Sequence, residues 1–495
     1  GWGQIPVVAE SEDDAAKDQL PIGIVTRTDL LNELFKPPPE SPETDLRDRL
    51  ARSLSPELWA LVREAGQAAA ALRMPIYFVG GLVRDLLLGK GPSDLDIVVE
   101  GDAIRLVTEL SQRFGGEVHS HDRFGTAKWS LTPETYQAIL SAADVSPDAP
   151  EPPVGSEKPL PAPAQIDFVS ARKEFYRRPT ALPDVEPGSI KLDLHRRDFT
   201  INTLAIRLDG DYLGQLLDFY GGRRDLRRGT VRVLHSLSFI DDPTRILRAV
   251  RLEQRLGFQI EESTAELIDA ALPMLDRVSG ERIRNELELS LNEADPVRVM
   301  QRLDELGVLP QFHPELCWRP ETAAVYTRIR GMAGDPLWGE AYHSSPTVFF
   351  YFAAWMAPFP PPIPELVAAR LRVRKATMDD LLGLASVRQA LAALPDNAPP
   401  SRIVAVLSPY APRTLLTLRL LDTEEQTNRW LDRFMGEWRF VRPATTGDDL
   451  HRAGLPPGPI YTRILDRLLA ARLDGEAPDA VAEQALLAGL LAEQA

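Results

Sequence analysis

The chain has 495 residues, too many for one hydrophobic core, so roughly two to four domains are expected. Apolar residues make up 44% and charged residues 26%, which excludes a disordered chain, and no apolar run approaches the roughly 20 residues that span a bilayer. A net charge of −16 excludes broad non-specific nucleic-acid binding, so a nucleic-acid partner must be held by a local basic face; the single cysteine, Cys317, excludes an internal disulfide framework and fits a reducing cytoplasm.

The first residues do not read like a natural beginning. "QIPVVAE" and "PIGIVTRTDLLNEL" are two short β-type runs on either side of an acidic stretch, and the second leads into a helical pattern. Residues 23–31 resemble the closing strand and helix of a CBS domain, which implies that 1–36 is the C-terminal part of such a domain. A plain N-terminal hairpin is the alternative. Residues 37–55 form a linker, stiff and solvated around "FKPPPESPETD". A helix is expected from about Pro56 to Leu72, and strands then alternate with helices to about residue 130. The Pro-rich stretch 144–165, "DVSPDAPEPPVGSEKPLPAPAQ", is too rich in proline and acid to pack and reads as a surface insertion between two strands. Strand signals return at "IDFVSARKEF" and "FTINTLAIRL". From about Asp242 the pattern is helical, broken at "PFPPPIP" and "LPDNAPP".

Two short stretches carry chemistry. In "FVGGLVRDLLLG" an apolar strand runs into Gly80 and Gly81, which permit close backbone approach, and a helix starting near Leu82 would offer free N–H groups to an anion. Arg84, one turn in, is placed for a bidentate phosphate contact; the alternative is a tight turn with a surface Arg–Asp pair. In "DLDIVV", Asp94 and Asp96 sit two apart on an expected strand, so both project from one face roughly 6.6 Å apart and can converge on a hard cation. A solvent-facing strand edge with two acids is the alternative. A phosphate cradle followed by a metal-binding pair is the layout of a nucleotide-transfer site.

The pattern GG-x-V-R-D-x-L-L-G followed by D-x-D resembles the signature of the DNA polymerase β-like nucleotidyltransferases, and within them the class II tRNA nucleotidyltransferase and bacterial poly(A) polymerase family. "RRDFTINTLAI" (196–206), "DFYGGRRDLRRGTVRVL" (218–234), "DDPTRILRAVR" (241–251) and "GERIRNELE" (280–288) resemble the remaining family motifs, in order. The resemblance implies an α+β fold: a head with a mixed/antiparallel sheet, the nucleotidyltransferase palm, at 56–235, then an all-α neck, body and tail. The nucleotide-selecting neck would occupy 236–310 and the RNA-binding body and tail 311–495.

Carried over residue by residue, the resemblance implies that Asp94 and Asp96 bind two Mg²⁺ ions, with Asp167 of "IDFVSAR" as the third catalytic acid; an ordinary strand-surface aspartate is the alternative for Asp167. Gly80, Gly81, Arg84 and Arg197 would hold the triphosphate, with Asp198 and Asn202 near the ribose. Asp242 followed by Pro243 reads as N-cap and N1 of a helix, on which Asp242, Arg245, Arg248 and Arg251 fall near one face at three-residue steps. In the family the matching Asp and Arg pair with the edge of the incoming base, and the later arginines reach phosphates. The usual family form begins E-D; Asp241 stands at the first position here, which leaves the Asp242/Arg245 pair intact but weakens strict CTP/ATP behaviour.

The implied function is template-independent addition of nucleotides, AMP completing the CCA end, to the tRNA 3′ end by two-metal transfer from an NTP with release of pyrophosphate. The implied partners are tRNA and ATP, with no membrane, in the cytoplasm. CTP joins them in the alternative CCA- or CC-adding reactions, and a poly(A) polymerase is a further alternative. A non-catalytic RNA-binding protein on the same head is opposed by the intact acidic pair. A small-molecule nucleotidyltransferase shares GG and D-x-D but predicts neither the base-selecting helix nor the helical body.

Overall fold

The computed structural model describes the strands at 4–8 and 21–26 and residues 45–90, 95–122, 125–143, 159–175 and 184–492. Contacts divide the chain into two units, one of residues 1–170 and 205–217, the other of 171–204 and 218–495.

In the first unit the two N-terminal β-type runs form β1 (Gln4–Val8) and β2 (Pro21–Thr26), paired antiparallel. The helix expected after them lies outside the described residues. The helix expected at 56–72 spans Pro56–Ala71; Ser55 Oγ accepts from Leu58 N at 3.3 Å, and proline opens the first turn. Leu58, Leu61, Val62 and Ala65 are buried along one stripe of it.

The head sheet is mixed. Its strands are β3 (Ile76–Val79), β4 (Asp96–Val99), β5 (Glu117–His121), β6 (Thr126–Ser130) and β7 (Gln165–Ser170). After β8 (Arg172–Phe175) and β9 (Asp184–Pro187), which pair only with each other, β10 (Leu204–Arg207) and β11 (Leu216–Asp218) complete it. The order is β11-β10-β3-β4-β7-β6-β5; β4 and β7 run parallel, whereas β10–β3, β3–β4, β7–β6 and β6–β5 are antiparallel. Alternation along β7 buries Ile166 and Phe168 and leaves Asp167 half-buried on the other face. Burial of Phe168 and of Ile97 beside it stabilises the sheet by about 2–3 kcal/mol per side chain.

Four expectations are corrected. Residues 37–55 are not linker throughout: Arg47–Ser53 is a helix, because Leu46, Leu50 and Leu54 recur at four-residue steps and are buried. The Pro-rich insertion joins the helix Pro133–Ala143 to β7 rather than strand to strand, and its end packs. Leu160 bridges Leu54, with Ser55 N donating to Leu160 O at 2.9 Å and Leu160 N to Ser53 O at 2.8 Å, and Tyr136 Oη donates to Pro163 O at 2.8 Å. Side chains too polar for a core still leave backbone groups that pair. Residues 144–158 lie outside the described residues. "FTINTLAIRL" becomes a strand only at Leu204, because Asp198 Oδ1 accepts from Phe199 N and Thr203 Oγ1 donates to Thr200 O, drawing Thr200–Asn202 into a 3-10 turn. The stretch after Asp242 is not purely helical: Gln259–Ile260 pairs parallel with Thr230–Val231.

From residue 262 onward the described chain is helical, and its breaks fall at the proline-rich segments. Thr347–Met356 and Ile363–Arg370 flank "PFPPPIP", and Lys375–Ala392 and Pro400–Leu407 flank "LPDNAPP". Near the end Leu450, Ile464, Leu468 and Leu487 form a small core. Among the described residues no helix is long and apolar enough to cross a membrane.

The helix Pro56–Ala71 lies so close to the chain after β10 that a Cβ on Gly66 would stand 2.3 Å from Leu208 O. Gly66→Ala should therefore destabilise the protein by about 1–3 kcal/mol, read as a lower melting midpoint by circular dichroism. Gly331→Ala, where a methyl meets nothing within 4 Å, should move it by less than about 0.5 kcal/mol.

Candidate active site

In the first unit the glycine turn and the acids lie on neighbouring strands. Gly80 sits at φ +68, where an L side chain is strained, and this lets β3 turn at once into the helix Gly81–Leu87. Arg84 is buried, and its fork is turned onto its own neighbour: Nε donates to Asp85 Oδ1 at 2.8 Å and Nη2 to Oδ2 at 2.9 Å. The expected Arg–Asp pair exists, but inside the head rather than on its surface. Arg84 Nη2 lies 3.5 Å from where a Cβ of Gly81 would be, so the guanidinium underlies the glycine turn.

Asp96 opens β4, is exposed, and is the register partner of Asp167 on parallel β7. Paired residues project to the same face on strands about 4.8 Å apart, so two carboxylates stand side by side. Lys128 is the register partner of Asp167 on β6, with Nζ 3.6 Å from Asp167 Oδ1. Asp94 lies outside the described residues, and among those described no group of three or more metal-ligating side chains gathers.

The second unit holds the other expected residues in a lattice of ion pairs. Asp193, fully buried, accepts from Arg196 Nη2 at 2.8 Å and from Arg197 Nη2 at 3.2 Å. Burial pushes the Arg197 guanidinium down from its usual range, Asp193 opposes this, and Arg197 Nε is buried without a partner. Asp198 is buried too. Its Oδ1 accepts from Asn202 Nδ2 at 2.9 Å and its Oδ2 from Arg248 Nε at 2.8 Å. Burial pushes this carboxyl up, but the Arg248 charge and the two side-chain hydrogen bonds outweigh it and hold the group at about 2. Arg248 and Arg251, expected to reach phosphates, both turn to Glu286, at 3.3 Å each.

Asp242 stands one position before the place expected for it, since Pro243 is the N-cap of the helix Thr244–Leu256, but its side chain still serves the first turn: Oδ1 accepts from Thr244 N at 3.1 Å and Thr244 Oγ1 at 2.6 Å. The same oxygen accepts from Arg282 Nη2 at 2.8 Å, while Oδ2 has no partner among the described residues. Arg245 is buried, donating from Nη1 to Ser238 Oγ at 2.6 Å and from Nη2 to Arg196 O at 2.9 Å. Asp193, Arg282 and Glu286 were not singled out from sequence. Their signals were present: Asp193 precedes Arg196 and Arg197 by three and four residues, and Arg282 and Glu286 are four apart in "GERIRNELE".

Comparison with known proteins accords with this geometry. The Poly A polymerase head domain matches residues 76–232, and the "Probable RNA and SrmB- binding site of polymerase A" matches 257–318. The A-adding tRNA nucleotidyltransferase of Halalkalibacterium halodurans is 33% identical over 427 residues, 85% of this chain and 90% of that protein. The chain belongs to the tRNA nucleotidyltransferase and poly(A) polymerase family. Another family member, the A-adding tRNA nucleotidyltransferase of Geobacter sulfurreducens, is 36% identical over 92% of this chain, but the chain spans only 51% of that relative's length. The Thermotoga maritima CCA-adding enzyme complexed with tRNA CCA shares the fold at TM-score 0.66 and 29% identity, over 91% of this chain and 99% of that one. The first matched family segment contains Asp96, Asp167 and Asp198, and the second contains Arg282 and Glu286.

The depressed Asp198 carboxyl makes stability acid-sensitive with a definite sign. Its contribution is fully present above the usual aspartate pKa and is lost as pH falls toward about 2. The wild-type chain should lose about 2 kcal/mol over that window that Asp198→Asn does not lose, measured as melting midpoints of both at a series of pH values. At pH 7 the variant should be the less stable, since it removes the charge that pairs with Arg248 at a position buried on the Asp198 side.

Proposed function

We propose that this chain adds AMP from ATP to tRNA 3′ ends, completing CCA without a nucleic-acid template. The observation that carries the reading is the register of Asp96 with Asp167: two carboxylates side by side on parallel strands, one of them exposed, beside a glycine turn. The names of the Halalkalibacterium and Geobacter relatives support adenylate as the added nucleotide.

The donor set fits a hard cation, being all carboxylate oxygen on rigid strands. Asp96, Asp167 and, from its place in the motif, Asp94 would hold Mg²⁺. When bound, Mg²⁺ supplies charge neutralisation on the triphosphate and acidifies the RNA 3′-hydroxyl. That hydroxyl oxygen bonds to the α-phosphorus in line as the bond to pyrophosphate breaks. Gly80 and Gly81 let the backbone approach the phosphates, and the Arg84–Asp85 pair holds the turn that presents them. Arg197, with a buried Nε unpaired, is the second phosphate group, and Asp198 with Asn202 forms the ribose side.

Base choice falls to Asp242 and Arg245. The partner-free Oδ2 of Asp242 would accept from an exocyclic amino group, which adenine and cytosine both carry, and the Arg245 donors not used by Ser238 or Arg196 would meet ring acceptors. Arg248 and Arg251 act on the nucleotide through Glu286, as positioning residues. The ranges 56–235, 236–310 and 311–495 then serve as catalytic head, selecting neck, and RNA-binding body and tail, with residues 1–36 as the CBS-like segment and the cytoplasm as the compartment.

The test is incubation of the purified chain and Mg²⁺ with tRNAs ending before, within and after CC, each with one NTP at a time. AMP incorporation onto the CC end is expected; exclusive CMP incorporation would overturn the reading. Asp96→Asn and Asp167→Asn should each lower single-turnover AMP transfer about 10³-fold with tRNA binding and melting midpoint retained. Arg282→Ala, which frees Asp242 Oδ1, should leave transfer measurable but narrow the preference for ATP over CTP about tenfold.

A further inference from the structure

A cavity of about 560 Å³ opens in the second unit among the helices Gly280–Leu291, Thr347–Met356 and Lys375–Ala392, and no part of the proposed reaction uses it. Its size lies within the range of about 300–1,000 Å³ in which small-molecule sites fall. Leu287, Phe349, Phe352 and Val373 give it apolar and aromatic walls.

Its polar atoms restrict what can fill it. Ser345 Oγ and Arg413 Nε, both on residues lining the cavity, are buried and have no hydrogen-bond partner among the described residues. The rest of the Arg413 guanidinium is engaged, Nη2 lying 2.6 Å from Asp380 Oδ2 and Cζ 5.6 Å from the centre of the Phe349 ring. A hydrocarbon would leave both buried polar atoms unsatisfied, which is costly. At the rim Asn285 and Arg374, both exposed, have side chains without a partner among the described residues. Glu281 and Glu288 also line the cavity, and Arg284, 4.0 Å from one and 3.4 Å from the other, balances one of their two charges; Arg374 supplies a further positive charge.

A ligand that satisfies all of this has a flat π face, a hydrogen-bonding edge and a negative charge attached. We propose that the cavity is a nucleotide-binding site separate from the transfer centre, taking a base against Phe349 and Phe352, with its polar edge toward Ser345, Arg413 and Asn285 and its phosphate at Arg374. An amide such as Asn285 offers a donor and an acceptor to a base edge, and base–aromatic stacking tolerates any base. Two sources carry this chemistry: an unpaired nucleotide of the RNA substrate, which rests on the tRNA reading above, and a free nucleotide, which does not.

The experiment uses the full chain and three variants outside the reaction machinery. Ala376→Trp fills the mouth of the cavity, Asn285→Ala removes the edge-reading amide, and Arg374→Glu reverses the phosphate-binding charge at an exposed position. Melting curves exclude misfolding as the cause of any loss. If the site takes an RNA base, Ala376→Trp and Arg374→Glu should each raise the Kd for tRNA about tenfold while kcat at saturating tRNA and ATP is unchanged. If it takes a free nucleotide, equilibrium dialysis with AMP should find two sites on the wild-type chain and one on Ala376→Trp. Unchanged tRNA Kd together with unchanged AMP stoichiometry in all three variants overturns the proposal, as does a loss of kcat with Kd and stoichiometry intact. A chain that transfers no nucleotide to any tRNA would defeat the tRNA reading alone, since the dialysis result stands independently of it.

Discussion

A buried carboxylate and the partly exposed guanidinium it pairs with tie the second unit together. Asp198, on the turn after Arg196 and Arg197, meets Arg248 on the helix Thr244–Leu256 at 2.7 Å. Arg248 reaches on to Glu286, Glu286 also takes Arg251, and Arg282 on the same helix as Glu286 holds Asp242. Segments far apart in sequence are thereby fixed against one another by charges that cannot be moved singly. Removing one partner strands the others in low dielectric, which costs several kcal/mol, whereas exposed pairs of similar geometry contribute about 0–1. The carboxylate of Asp242 is thus held by an arginine forty residues further along the chain.

The parts of the site readable in the sequence are those fixed by local periodicity. Gly80 at positive φ, the bond from Thr244 N to the Asp242 side chain and the helix at Pro56 follow from residue type and short spacing. The partners are different. Asp167 becomes the neighbour of Asp96 only through the pairing of β4 with β7, which no local pattern encodes. Arg84 was read as facing phosphate because it sits one turn into a helix, but adjacent residues rarely face each other on a helix. Its pairing with Asp85 arises because both are buried, and burial is a property of the folded head. In the same way Arg248 and Arg251 share a helix face as expected, yet what that face meets is Glu286.

The acidic total has a structural use that a net charge of −16 conceals. Asp193, Asp225 and Glu483 are fully buried, and each is paired with arginine: Asp225 accepts from Arg232 Nε at 3.0 Å and from Thr200 Oγ1 at 2.7 Å, and Glu483 lies 3.5 Å from Arg472. These acids are structural anchors for cationic side chains. Each such pair cancels within itself and leaves the net charge of −16 unchanged, so the negative field that an approaching polyanion meets comes from the acids left over outside these pairs.

The ladder at Leu54 and Leu160 has a further consequence. Chain leaving the helix Pro133–Ala143 is pinned again at Leu160, by two backbone hydrogen bonds, before it enters the strand that carries Asp167. The strand that carries Asp167 is thus approached through main-chain bonds that do not depend on which side chains stand there.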